Sequence, residues 1–252
     1  MIRLVICKNG DGGAAVPPDF PFLRELVSKT GSNRLKSERI SAYLALKYSY
    51  EKLFLHTFPT ITKDEKERPC FTRPNEFVSD FSISHTSGIS VIAFLSGEGR
   101  VGVDAELEYS SEKLDGISNK FFKKANFDLQ RRELCVEIMI AELYNDSVKF
   151  IDTLPIVTNK IDSTILFSSS DTELSYVRLG DFDFFDRWTS LEALLKADGG
   201  GFSSLSLINE LLPESLSLGL RMSVGNDVYR ISLCHLKQAL TDKNGAADCD
   251  KY

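Results

Sequence analysis

The segment V-G-V-D-A-E, Val101 to Glu106, constrains this chain more than any other. In an extended strand residues i and i+2 share a face, so Val101, Val103 and Ala105 form one side and Gly102, Asp104 and Glu106 the other. The apolar side predicts burial in a core. The acidic side predicts two carboxylates facing a cleft, with Gly102 leaving space beside them. Like charges this close repel unless a cation compensates them, and Mg²⁺ takes one or two carboxylates together with phosphate oxygens and water. Standing alone, a D-x-E pair is more often a solvated strand end than a metal site.

The surrounding pattern alternates strands with helices. Residues 2–7 read as a short strand, and the following G-D-G-G and V-P-P-D as loop. From Leu35 to about Phe54, Ile40, Tyr43, Leu44 and Leu53 recur near helical spacing, behind a cationic end made of Arg34, Lys36 and Arg39. F-V-S-D-F-S-I-S-H-T-S-G, I-S-V-I-A-F-L and the acidic segment then read as three strands of one antiparallel patch. Beyond Glu108 the pattern predicts a helix ending in N-K-F-F-K-K and weaker β-like pieces over 149–179. A helix from Asp183 to Ala197, stopped by Gly199 to Gly201, precedes short strands and a helical segment to about Leu236, and 241–252 reads as a disordered tail.

Two further constellations carry chemistry. In R-W-T-S-L-E-A-L-L-K, Trp188, Leu191 and Leu195 form an apolar stripe, and Glu192 and Lys196 lie one turn apart on the neighbouring stripe. An exposed pair of that spacing contributes only about 0.2–0.5 kcal/mol. In a cleft, the same pair supplies a carboxylate able to bind metal or accept a proton, beside an ammonium able to neutralise phosphate. The run Ser82 to Gly88 offers hydroxyls, the His85 imidazole and turn amides, a donor set suited to an anion. It lacks the G-x-S-x-G elbow of a serine nucleophile, and His85 lacks zinc-ligand spacing. His56 and His235 are read as structural.

With 252 residues, 42% hydrophobic and 26% charged, the chain can form one large domain or two lobes, and two lobes are favoured. A net charge of −6 argues against broad affinity for nucleic acid or an anionic membrane. Five cysteines without C-x-x-C spacing suit a reducing cytoplasm rather than a disulfide framework. No apolar run reaches the roughly 20 residues of a membrane span, and the N-terminal one is too short for a signal peptide, so a soluble protein is expected.

In order, F-S-I-S-H-T-S-G, V-G-V-D-A-E and W-T-S-L-E-A-L-L-K make the chain resemble the 4′-phosphopantetheinyl transferase superfamily, in its longer, single-chain, surfactin-synthetase-activating type. The resemblance covers roughly Arg34 to Phe202 and includes R-P-C-F at Arg68. It implies an α+β fold of two similar lobes related by pseudo-twofold symmetry, each a small antiparallel sheet packed with helices. The lobes are placed at 1–103 and 104–240, with coenzyme A between them. It implies Mg²⁺ held by Asp104, Glu106 and Glu192, with Glu192 also the general base and Lys196 stabilising the pyrophosphate and the departing 3′,5′-ADP. Ser84 and His85, with Arg68 and the Arg34, Lys36 and Arg39 group, are the implied coenzyme A contacts. The implied partner is an apo-acyl or peptidyl carrier protein met by a cytoplasmic monomer, with Lys120, Lys123 and Lys124 as candidates for receiving an acidic acceptor helix. Two features depart from the family pattern: Leu191 where a lysine is common, and a longer spacer between Phe122 and Trp188. Another Mg²⁺-dependent phosphoryl-group enzyme, or a non-catalytic coenzyme A or carrier-binding protein, remains the alternative.

Overall fold

The chain runs β1 (Ile2–Lys8), α1 (Pro21–Ser28), α2 (Asn33–Phe54), β2 (Ile61–Lys63), β3 (Pro69–Phe71), β4 (Asp80–Thr86), β5 (Ile89–Leu95), β6 (Arg100–Leu107), β7 (Cys135–Leu143), β8 (Val148–Val157), β9 (Ile165–Ser168) and β10 (Thr172–Val177). It continues through α3 (Phe184–Asp198), a 3₁₀ segment (Gly201–Leu207), α4 (Ile208–Leu211), β11 (Ser215–Val224) and β12 (Asp227–Leu236). The computed structural model describes residues 1–9, 16–17, 20–73, 76–108, 134–144, 147–158, 161, 164–178 and 183–237. The tail at 241–252 and the N-K-F-F-K-K helix with Lys120, Lys123 and Lys124 lie outside the described residues.

The architecture is α+β. A mixed sheet of order β4-β5-β1-β7-β8, in which β1 runs antiparallel to β5 and parallel to β7, faces an antiparallel sheet of order β6-β12-β11-β10-β9. Strand alternation sorts the side chains into three cores. Leu4, Val91, Val103, Ile138, Leu218 and Leu233 pack between the sheets. Val5, Ile92, Phe94 and Met139 point the other way, onto Leu44, Leu46 and Tyr50 of α2. Cys234 and Leu236 of β12 pack under Leu191, Leu194 and Leu195 of α3. β5 is buried along its whole length, which explains its unbroken apolar sequence.

The helices follow their sequence signals closely. α2 starts two residues before the expected Leu35 and ends at the expected Phe54. α3 begins after Asp183, whose side chain accepts the Asp186 N–H while the Asp186 side chain accepts the Asp183 N–H, and it ends at Gly199 with φ 88°. Leu191 and Leu195 are buried as the apolar stripe predicts, whereas Trp188 is half-buried and stacks on Phe184.

One expectation is corrected. β4 and β5 pair, but β6 leaves them and pairs with β12, so the three strands do not form one patch. The chain turns between β5 and β6 through Gly97 and Gly99, both at positive φ, and a Cβ on Gly99 would lie 2.4 Å from the Leu236 carbonyl oxygen. The division at 103/104 falls inside β6, and β7 and β8 lie in the first sheet rather than with β9 to β12.

β4 nonetheless closes the open edge of β6 with side chains instead of main chain. Val101 N–H donates to Asp80 Oδ2 (2.8 Å), Val103 N–H to Ser82 Oγ (3.1 Å) and Ala105 N–H to Ser84 Oγ (3.3 Å). Asp80, Ser82 and Ser84 share one face of β4, so a polar D-x-S-x-S stripe satisfies every second donor of an otherwise bare edge. Among the described residues no helix is long and apolar enough to cross a membrane.

Candidate active site

β6 turns Val101, Val103 and Ala105 into the inter-sheet core, and Gly102, Asp104 and Glu106 share its other face. Gly102 does more than leave space. A Cβ there would sit 1.8 Å from the Ala193 carbonyl oxygen and 2.6 Å from the Ala197 nitrogen, so glycine is what lets the α3 backbone rest directly on β6. That close approach carries Glu192 and Lys196 to Asp104. Lys196 Nζ is 2.6 Å from Asp104 Oδ1, across 92 positions of sequence.

The polar groups around Asp104 are unevenly satisfied. Ser84 donates to Asp104 Oδ1 (2.9 Å) and accepts from Lys196 Nζ (3.0 Å) and from Ala105 N–H. Asp104 Oδ2 is buried and has no hydrogen-bond partner among the described residues. Burial, then the Asp104 charge, raises Glu106 to about 7 against the opposing pull of Lys196. Burial and Asp104 likewise raise Glu192 to about 7, with Lys196 opposing and Glu106 adding to the rise. The three carboxylates therefore feel one another, and a shared cation would relieve them.

These donors fit a hard divalent cation in one specific sense. Among the described residues no three His, Cys, Asp or Glu side chains converge tightly enough to hold a metal ion unaided. An all-oxygen set with one enclosed, unpartnered carboxylate oxygen suits an ion such as Mg²⁺, which completes its shell with phosphate oxygens and water.

The other expected contacts separate into groups. His85, on the opposite face of β4 from Ser84, is pushed down to about 4 by burial, Lys196 and Arg39, against the pull of Asp104. It is therefore neutral near pH 7, its Nδ1 is buried without a hydrogen-bond partner, and Glu38 Oε2 stands 3.7 Å away. Arg39 donates to Thr30 Oγ1 (2.7 Å), Arg34 pairs with Glu38 at 3.3 Å, and Lys36 is half-buried on the same end of α2.

Arg68, another of the implied coenzyme A contacts, has its head group engaged within the fold. Its guanidinium clasps both oxygens of Asp80 (2.6 and 2.7 Å) and donates to the carbonyls of Phe81, Val101 and Lys196. Those bonds tie the end of α3 to β4 and β6 and commit the head group to the frame. A cavity of about 300 Å³ opens beside this clamp, lined in part by Tyr43, Pro69, Ile83, Leu195 and Lys196.

Sequence reasoning missed two parts of this frame. Asp80 is one, and its signal was the period-2 alternation of Asp80, Ser82 and Ser84. Glu108 is the other, the next acid on the D-x-E face. It pairs at 3.1 Å with the nearly buried Arg230, which also holds Asp183 (2.6 Å) and Asp186 (3.3 Å) and so pins the start of α3. No protein-family model matches the chain, and no curated protein sequence matches it.

Proposed function

We propose that this protein is a Mg²⁺-dependent 4′-phosphopantetheinyl transferase, moving the phosphopantetheine arm of coenzyme A to a serine of an apo-acyl or peptidyl carrier and releasing 3′,5′-ADP. The observation that carries the reading is that one strand and one distant helix bring Lys196 onto Asp104 and set Glu106 and Glu192 close enough to feel both. In this reading the two five-stranded sheets, each with a long helix on its outer face, are the two pseudo-symmetric lobes. The cavity beside Pro69 and Lys196 takes the nucleotide end of coenzyme A. The protein acts as a cytoplasmic monomer.

The residues have separate tasks. Glu192 takes the proton of the carrier serine as its oxygen attacks the β-phosphorus. Lys196 neutralises the pyrophosphate and then the leaving 3′,5′-ADP. Asp104, Glu106 and Glu192 would hold Mg²⁺, which when bound would neutralise charge on the phosphoryl oxygens. His85, neutral, and Ser84 line the approach beside the basic end of α2, where Arg34, Lys36 and Arg39 meet the 3′-phosphate.

Glu192→Gln separates binding from chemistry. Calorimetry should show coenzyme A affinity within about threefold of wild type, while transfer to carrier falls at least about 100-fold, the size expected for a lost general base. A fully active Glu192→Gln enzyme contradicts the assignment.

A further inference from the structure

Asp104 sits at the most enclosed point of the acidic cluster, with a side chain 4% exposed, and the Lys196 ammonium lies 2.6 Å from its Oδ1. Three carboxylates face this one ammonium, so negative charge exceeds positive in the cluster when all are ionised. The ammonium covers one oxygen only and leaves Oδ2 unpartnered. Lys196 is also placed to leave. Its side chain is 34% exposed, while the backbone that carries it is fixed by Leu195 and Ala197, both buried, and by the Arg68 bond to its carbonyl. Ser84 stays behind in either state, because the Ala105 N–H holds its hydroxyl at the edge of β6.

We propose that Lys196 is the resident counter-cation of the metal-free site: its ammonium occupies the Asp104 Oδ1 position until a divalent cation displaces it, and the displaced ammonium swings to the phosphates of the bound substrate. The inference rests on the transferase reading above for the destination of Lys196, but the exchange at Asp104 is observable without any carrier. It makes metal loading and phosphate neutralisation one coupled event. Without the metal, Lys196 stays on Asp104 and is withheld from the phosphates.

Two measurements test the exchange. Titration with MgCl₂ and MnCl₂, without coenzyme A, should give Lys196→Met an affinity about tenfold tighter than wild type, because a competing and repelling charge is gone. The cation should also raise the melting temperature of the variant more than that of wild type, as the tighter binding requires. Equal or weaker binding by the variant, or no divalent-cation binding by wild type, overturns the proposal. The second measurement uses the unaltered protein and is independent of how the variant folds. Acylation of Lys196 by a succinimidyl ester, read by peptide mass, should rise several-fold on adding MgCl₂ while the other lysines change little. No rise overturns the proposal. Exchange at Lys196 without transfer to any carrier removes the transferase reading and leaves this inference standing, whereas transfer without exchange removes this inference alone.

Discussion

Two ion pairs of the same length stand where α3 meets β4 and β6, and they are built for opposite ends. Arg68 and Asp80 meet at 2.6 Å, and so do Lys196 and Asp104. In the first, Asp80 Oδ1 takes one guanidinium N–H, Oδ2 takes another together with the Val101 N–H, and three main-chain carbonyls absorb further Arg68 donors. In the second, a single Lys196–Asp104 contact stands among three acids, and one carboxylate oxygen has no partner. A buried pair that satisfies its lone pairs and donors acts as a rivet. A pair left short of positive charge is, on the reading proposed above, a socket for a cation. The difference lies in the partners around each pair, not in the distance.

The largest expected effect breaks the rivet. Arg68→Met strands the Asp80 carboxylate in a nearly buried site, and urea unfolding should show a loss of about 3–5 kcal/mol that Mg²⁺ does not restore. A loss below about 1 kcal/mol would mean that the two pairs are more alike than their partners suggest. A smaller effect reads the socket directly. Glu106 and Glu192 fold with carboxyls raised to about 7 from an ordinary 4.5. The folded state therefore holds protons that the unfolded chain has released. The contribution of these two acids is most favourable below pH 4.5 and is lost as pH rises through 7. Metal-free protein should lose about 1–3 kcal/mol from this source between pH 5 and pH 8, and Glu192→Gln should flatten that slope. A slope that the variant leaves unchanged would show that Glu192 does not share the strain.

Much of this was legible before the structure. The alternation at Val101 to Glu106 declared a strand with one core face and one acidic face, and the caps of α3 placed that helix to within a residue at each end. The partner of β6 was not legible. Its register with β12 pairs Asp104 with Ser232, and nothing local to V-G-V-D-A-E names a strand so far along the chain. The role of Arg68 was hidden for the same reason: its basic character shows in R-P-C-F, but its capture by Asp80 and three carbonyls depends on how the two sheets meet. β8 and β9 read only as weak pieces because they are outer strands with outward apolar residues such as Ile151 and Ile165, which blur the alternation. Gly102 was read as room for the carboxylates, and the room is filled by the backbone of α3.

The transfer of phosphopantetheine proposed for the Asp104, Glu106, Glu192 and Lys196 cluster leaves a covalent gain on its acceptor. It meets its most direct test in the intact mass of a panel of apo-acyl and apo-peptidyl carriers incubated with the protein, coenzyme A and MgCl₂. A gain of about 340 Da on a carrier, absent when EDTA replaces MgCl₂, is the predicted result. An unchanged mass for every carrier, with metal and coenzyme A present, would contradict it.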